Sequence, residues 1–136
     1  MELRDTTVEI RDRIPEAIRD LENPSSKELI GLWDRRYLQG LIFILRDQGQ
    51  YQGYILLEQG KKYTIRGVFV RDNARSEEFE QKLLEEVCRF LDIKKQNCLV
   101  NIAKGAEKIY LDHGFEILGP RTGFLDQVKA IRRYKS

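Results

Sequence analysis

The segment from Val68 to Leu84 constrains the fold more than any other part of the chain. It begins with three apolar residues, Val68 to Val70, which end a run rich in β-branched and aromatic side chains and therefore predict a strand. After a short polar turn, Phe79, Leu83 and Leu84 follow at helical spacing. A strand that passes through a tight turn into a helix points the free N–H groups of that helix at one place. Such a place binds phosphate in many folds.

The composition is that of a soluble globular protein. Of the 136 residues, 41% are hydrophobic and 34% are charged, which argues against disorder and allows one domain, residues 1–136, with its own core. The net charge is only +2, so we expect no general attraction to nucleic acid or to anionic membranes. The basic residues from Lys129 to Lys135 are explained by a solvated last strand.

The cysteines and the single histidine indicate no metal site. Cys88 and Cys98 lie ten positions apart without a C-x-x-C motif, and His113 is the one histidine, which is too little for a structural zinc site. We therefore expect reduced cysteines, as in a cytoplasmic protein. No apolar run approaches membrane-spanning length and the N-terminus lacks a signal-peptide core, which also favours the cytoplasm.

The first third of the chain predicts two helices before the main strands. Residues 1–10 could hold a short first strand. Apolar residues recur at helical spacing over residues 14–21, and a broad apolar face over residues 29–37 predicts a second helix that ends at Gly40. Ser25 or Ser26 is placed to cap that second helix.

The remaining elements predict a mixed sheet. Three strands, Leu41–Arg46, Tyr51–Glu58 and Tyr63–Val70, are joined by short glycine-containing turns, which is typical of an antiparallel meander. A strand–helix–strand crossover follows, and such a crossover requires a parallel pair. The later elements are a helix over Ser76–Leu91, a strand over Asn97–Ile102, a helix over Lys104–His113 closed by Gly114, and strands over Phe115–Leu118 and Val128–Tyr134. The order is β-α-α-β-β-β-α-β-α-β-β, which predicts an α+β fold with about six to seven strands and helices on both faces.

A second motif identifies a family that has this order of elements. Residues 106–116 follow the pattern A-x-x-x-Y-x-x-x-G-F-E, with Tyr110 and Gly114 at its fixed positions. This run resembles the fourth helix and following strand of the GNAT superfamily of acyl-CoA-dependent N-acyltransferases. Upstream, Arg75 matches the first residue of the family's R-x-x-G-x-G phosphate loop, and no gap is needed between the two motifs. The resemblance is sharp over about residues 64–118.

The resemblance implies an activity, a cofactor and site residues. The implied activity is transfer of an acyl group, most simply acetyl from acetyl-CoA, to an amine. Tyr110 corresponds to a frequent general acid of the family, although it also continues the apolar face of its helix. Glu58 is a candidate base by its position, although a solvated carboxylate at a strand end is the simpler interpretation. The residues implied to bind the coenzyme are Val68, Val70, Arg71, Arg75 and Ser76.

The phosphate loop departs from the family pattern at both glycines. Glu78 and Glu80 stand there, and each carboxylate would repel the coenzyme pyrophosphate by on the order of 3 kcal/mol at roughly 6 Å and an effective dielectric of about 20. Ser76 is a favourable N-cap, and acidic residues in a first turn stabilise a helix, so we expect a helix end that needs no anion. The alternative function is therefore a catalytically inactive GNAT-fold module with a protein-interaction or regulatory role.

The partners follow from the same resemblance. The acceptor would be an amine of a small molecule or a protein, and a membrane or nucleic-acid partner is not expected from the charge balance. A homodimer could form if the last strand lies exposed at the edge of the sheet. Aromatic residues on the second helix and the first strands correspond either to the family's acceptor pocket or to core packing. These are Trp33, Tyr37, Tyr51 and Tyr54.

Overall fold

A computed structural model describes residues 6–13, 31, 33, 35, 39–103, 105–118 and 127–135. The two helices predicted before Gly40 fall almost wholly outside these ranges, so they stay predictions. The described residues form seven strands and two helices. They are β1 (Thr6–Arg11), β2 (Gly40–Asp47), β3 (Gln50–Gln59), β4 (Tyr63–Val70), α1 (Ser76–Lys94), β5 (Cys98–Ala103), α2 (Glu107–Asp112), β6 (Phe115–Ile117) and β7 (Gln127–Arg132).

The strands form one mixed sheet in the order β1-β2-β3-β4-β5-β7-β6. Strands β1 to β4 are an antiparallel meander, β4 and β5 are parallel, and β7 lies antiparallel between β5 and β6. The predicted α+β class and mixed sheet are therefore confirmed. The prediction that the last strand is an exposed edge is wrong, because Val128 and Ala130 of β7 are buried between neighbours on both sides. The edges are β1 and β6.

Each face of the sheet carries its own hydrophobic core. One face packs against α1, whose Phe79, Leu83 and Leu84 are buried together with Phe43 and Leu45 of β2. The other face buries Trp33, with Ile42 and Ile44 of β2 and Tyr54 and Leu56 of β3. Successive residues of β2 and β3 alternate between the two cores, as the period of a strand requires. For Trp33 and Tyr54 the core interpretation is therefore confirmed.

The central strands separate at a β-bulge. Strands β4 and β5 pair only from Tyr63 opposite Cys98 to Ile65 opposite Val100. The next residue, Arg66, is the extra residue of a bulge, since Leu57 pairs with Ile65 whereas Leu56 pairs with Gly67. A bulge bends its strand and increases the local twist. Beyond it, residues 67–70 pair only with β3 and residues 101–103 only with β7, which leaves a cleft between two parallel strands.

Among the described residues, neither helix combines the length and apolar character needed to cross a membrane.

Candidate functional site

The cleft between β4 and β5 is the candidate site. It opens at the carboxyl ends of two parallel strands, which is where α/β sheets bind ligands. Val68 and Val70 lie half-buried on the β4 side. The chain leaves β4 at Val70 and enters α1 at Ser76, so the N-terminus of a 19-residue helix lies at this open end. The segment from Val68 to Leu84, singled out from the sequence, therefore lies where β4 and β5 separate.

The N-terminus of α1 has no side-chain cap. Arg75 is the N-cap residue and Ser76 is already the first helical residue, so the prediction that Ser76 caps the helix is wrong. The reason is a preceding turn, in which the Asn73 side-chain oxygen accepts a bond from the Arg75 N–H at 2.8 Å and the Asn73 carbonyl accepts one from the Ser76 N–H at 3.2 Å. The backbone N–H groups of Glu77 and Glu78 have no acceptor within the described part of the chain. Two donors are therefore available to an anion.

The side chain of Arg75 is held by groups outside the cleft strands. Its Nη1 lies 3.0 Å from Asp47 Oδ2 at the end of β2, and its Nε lies 3.4 Å from Glu78 Oε2. The guanidinium also lies 4.7 Å from the centre of the Phe79 ring. Asp47 in turn accepts a 2.6 Å bond from the Thr6 hydroxyl. A contact from this guanidinium to a coenzyme would require breaking these interactions, and the N–H groups of Arg75 and Ser76 are already bonded to Asn73.

The two glutamates at the glycine positions differ in their surroundings. The Glu78 carboxylate is paired with Arg75, which offsets its charge. Glu80 is half-buried, and burial followed by repulsion from Glu77 raises the pKa of its carboxyl. The expected repulsion of a bound pyrophosphate therefore comes mainly from Glu80. Arg71, the remaining basic residue of the loop, is exposed and donates from Nε to the Tyr51 carbonyl at 3.2 Å.

Tyr110 lies in the core beside the N-terminus of α1. Its side chain is 7% exposed and packs edge-on against Phe115, with 5.4 Å between ring centres. Burial raises the pKa of the phenol, and the nearby Glu80 carboxylate raises it further. The hydroxyl therefore stays protonated at neutral pH, which is the form that a general acid requires. The packing role is present in the structure, and the general-acid role stays a prediction.

Glu58 lies at the paired end of the strands, away from the open cleft. It is opposite Thr64 in β4, which is six residues before Val70 and thus about 20 Å away along the strand. Its carboxylate accepts a 2.8 Å bond from Arg66 Nε. The structure therefore does not bring Glu58 and Tyr110 together at the open end, and the role of Glu58 as a base stays a prediction.

The cysteines and the histidine take part in packing. Burial raises the pKa of Cys88 to about 11 and that of Cys98 to about 12, so both thiols are protonated at neutral pH. The Nδ1 of His113 lies 2.7 Å from the Ile109 carbonyl at the end of α2. Within the described ranges, no group of three or more His, Cys, Asp and Glu side chains is arranged to hold a metal ion.

Two features of the site were missed from the sequence. The bulge at Arg66 has no local signal, because it depends on the register between β3 and β4. The turn at Asn73 did have a signal, since asparagine commonly bonds the backbone two residues further on and so fixes a turn before a helix.

Comparisons with known proteins agree with this geometry. Residues 32–125 match the family model described as "Acetyltransferase (GNAT) domain". No curated protein sequence matched the chain. Among solved structures, a GNAT family acetyltransferase from Elizabethkingia anophelis with acetyl-CoA bound is 16% identical, with a TM-score of 0.78 over 96% of this chain and 99% of that one.

Two further structures show the same likeness. A Bacillus subtilis acetyltransferase in complex with CoA is 14% identical, with a TM-score of 0.73 over 96% of this chain and 99% of that one. The IAA acetyltransferase from Bacillus cereus is 15% identical, with a TM-score of 0.70 over 93% and 98% of the two chains. At these identities the likeness to solved structures shows the fold.

Proposed function

Because the chain belongs to the GNAT acetyltransferase family, we propose that it transfers an acetyl group from acetyl-CoA to an amine. The family model covers residues 32–125, and the structural matches extend over nearly the whole chain, which supports one acetyltransferase domain over residues 1–136. The amine belongs to a small molecule or a protein. The cytoplasm is the proposed compartment, because both cysteines are unpaired and buried.

The observation that carries this proposal is the cleft with the bare helix end. Strands β4 and β5 separate after Ile65, and the N–H groups of Glu77 and Glu78 have no acceptor among the described residues. A helix N-terminus with unpartnered donors favours an anion through both hydrogen bonds and the helix dipole. The related Elizabethkingia and Bacillus subtilis structures hold acetyl-CoA and CoA respectively. The residues present therefore fit a pyrophosphate.

The roles of individual residues follow from their positions. The backbone of Val68 and Val70 would line the pantetheine arm, since these residues have no partner strand on the cleft side. The N–H groups of Glu77 and Glu78 would face the pyrophosphate. The Ser76 N–H is already bonded to the Asn73 carbonyl, so Ser76 would contribute its hydroxyl, with Arg71 exposed nearby. Bound acetyl-CoA supplies the acetyl group as a thioester, so the acceptor gains an amide bond and free thiol is released. Tyr110 would hold the proton for that leaving sulfur.

Calorimetric titration with acetyl-CoA tests the coenzyme site. Saturable heat, together with thermal stabilisation by the ligand, is the expected result. Absence of both at millimolar acetyl-CoA would overturn the proposal and leave the inactive scaffold as the function of this chain. A transfer assay that detects released thiol, run over a panel of small amines and lysine peptides, then tests the reaction itself.

Tyr110→Phe separates acid catalysis from packing. If the hydroxyl protonates the leaving sulfur, this variant loses turnover by roughly a hundredfold while its affinity for acetyl-CoA and its thermal stability stay close to those of the parent. Tyr63→Phe is the matched control, because its hydroxyl only accepts a 3.2 Å bond from Gln59 at the other end of β4. Equal turnover in the two variants would assign Tyr110 to packing alone.

A further inference from the structure

A hollow lined by lysines lies at the end of the sheet opposite the cleft. Its volume is about 350 Å³, and it forms where the β3–β4 turn, the end of α1 and the start of β5 meet. The lining includes Lys61 and Lys62 from the turn and Lys95 from the end of the helix. Here β4 and β5 are still paired, with Tyr63 opposite Cys98. Val70, at the open end, is seven residues further along β4, or about 23 Å. The hollow is therefore separate from the coenzyme cleft.

Among the described residues, no acidic side chain balances the positive charge of this hollow. Its described lining contains no carboxylate, and Lys61, Lys62 and Lys95 form no ion pair within the described part of the chain. Lys82 and Lys108, by contrast, are paired on their own helices, with Glu86 at 3.2 Å and Asp112 at 3.0 Å. Because the three side chains line one hollow, an anion placed there would be attracted by all three charges.

The backbone at Lys95 is an independent sign of a role for its side chain. Lys95 has φ +57° and ψ +48°, the left-handed conformation at which a helix most often places glycine. A side chain costs stability at such a position relative to glycine. A lysine at position 95 is not needed for a favourable interaction with the helix dipole, because Lys94 already places a cation in the last turn.

We propose that this hollow binds a small anion carrying two or more phosphate groups. Ammonium groups bind phosphate as compact charges with several donors each, and three of them match the charge of a diphosphate. The volume is at the lower end of the range for small-molecule sites. The wall is fixed, since the Asn97 side-chain oxygen accepts a 2.8 Å bond from the Tyr134 N–H across the rim. Half-buried Tyr134 adds an aromatic surface that would suit a nucleoside.

Calorimetric titration of the full chain with inorganic pyrophosphate, and separately with ATP, tests this site. Each titration is repeated with the Lys95→Gly variant, whose change lies at the hollow, so that heat lost in this variant belongs to the hollow and not to the cleft. Saturable binding of pyrophosphate supports the proposal, and tighter binding of ATP would assign the ligand to nucleotides. No saturable heat from either probe at millimolar concentration would overturn it.

Lys95→Gly makes the test specific. This variant should bind pyrophosphate at least about fivefold more weakly while its melting temperature rises, because the charge is lost and the backbone strain is relieved. A folding defect would lower both properties, so it cannot imitate this result. Lys108→Gln, which removes a paired and distant ammonium, should leave the affinity unchanged. Equal affinity in the Lys95→Gly and Lys108→Gln variants would refute the assignment.

Discussion

Replacing Arg132 with glutamine should destabilise the fold, because this side chain joins three elements. From β7, its Nη1 and Nη2 lie 2.8 Å and 3.1 Å from the two carboxylate oxygens of Asp92 in α1. Its Nε donates to the carbonyl of His113, just after α2, at 2.9 Å. The Arg132 side chain is 16% exposed, whereas that of Asp92 is 51% exposed. The arginine is therefore a half-buried connection between the two helices and the sheet.

The geometry allows a magnitude to be worked out for this variant. An exposed ion pair contributes up to about 1 kcal/mol to the free energy of unfolding. Because the Asp92 side chain is 51% exposed, we assign about this value to its pair with Arg132, although two hydrogen bonds join the two side chains. The bond to the His113 carbonyl contributes about 1 kcal/mol more, since the carbonyl would lose a charged donor. We expect the free energy of unfolding to fall by about 2 kcal/mol. For a domain of this size the melting temperature would fall by roughly 6–10 °C.

Urea unfolding followed by circular dichroism measures the effect, with Arg133→Gln as the matched control. Arg133 pairs with Glu116, but both side chains are more than half exposed, so its replacement should cost less than about 0.5 kcal/mol. If Arg132→Gln and Arg133→Gln differ by less than about 0.5 kcal/mol at pH 7, the buried connection contributes no more than a surface pair, and the reasoning fails.

The same pair predicts a dependence on pH. The hydrogen bond from Arg132 lowers the pKa of the Asp92 carboxyl in the folded state. A lowered folded pKa means that the carboxylate contributes stability above its unfolded pKa of about 4, and that this contribution is lost as the pH falls through the folded value. Asp92→Asn should therefore be less stable than the parent at pH 7 and approach it at pH 2–3. A stability difference that does not change with pH would contradict this assignment.

Two other predictions concern the loop and the sheet. Glu80→Gln should tighten acetyl-CoA binding by about tenfold. Glu78→Gln should tighten it much less, because Arg75 already offsets the Glu78 charge. Equal affinities of the two variants in calorimetry would show that the Arg75–Glu78 pair does not affect the ligand. Gly40→Ala should lower the free energy of unfolding in urea by about 3 kcal/mol or more, since the added Cβ would lie 2.0 Å from the Leu57 carbonyl oxygen. A stability equal to that of the parent would mean that β2 and β3 can move apart.

Features that depend on neighbouring residues were predictable from the sequence. Strand β4 was predicted with its observed bounds, Tyr63–Val70. For the other described helices and strands with predicted bounds, each predicted end lies within three residues of the observed end. Gly114 was predicted as the residue that closes α2, and its φ of +89° confirms it. These properties follow from side-chain periodicity and from turn residues, which act over four residues or fewer.

Features that depend on distant residues were not predictable in this way. The last strand was expected at an exposed edge, but β7 lies between β5 and β6. The repulsion assigned equally to Glu78 and Glu80 was divided only when the fold brought Arg75 between Glu78 and Asp47. The Arg75–Glu78 pair has the i,i+3 spacing of a helix, but the position of the guanidinium between Glu78 and Asp47 depends on the distant end of β2.

The sequence by itself determined the family and the order of elements, because motif residues and hydrophobic periods are written along the chain. Only the tertiary structure decided where the site opens and what surrounds it. The separation of β4 from β5 depends on the pairing register at Arg66, and the lysine hollow depends on a turn and a helix end more than thirty residues apart. Both depend on long-range pairing, which is set by the packing of the whole sheet and not by the local sequence.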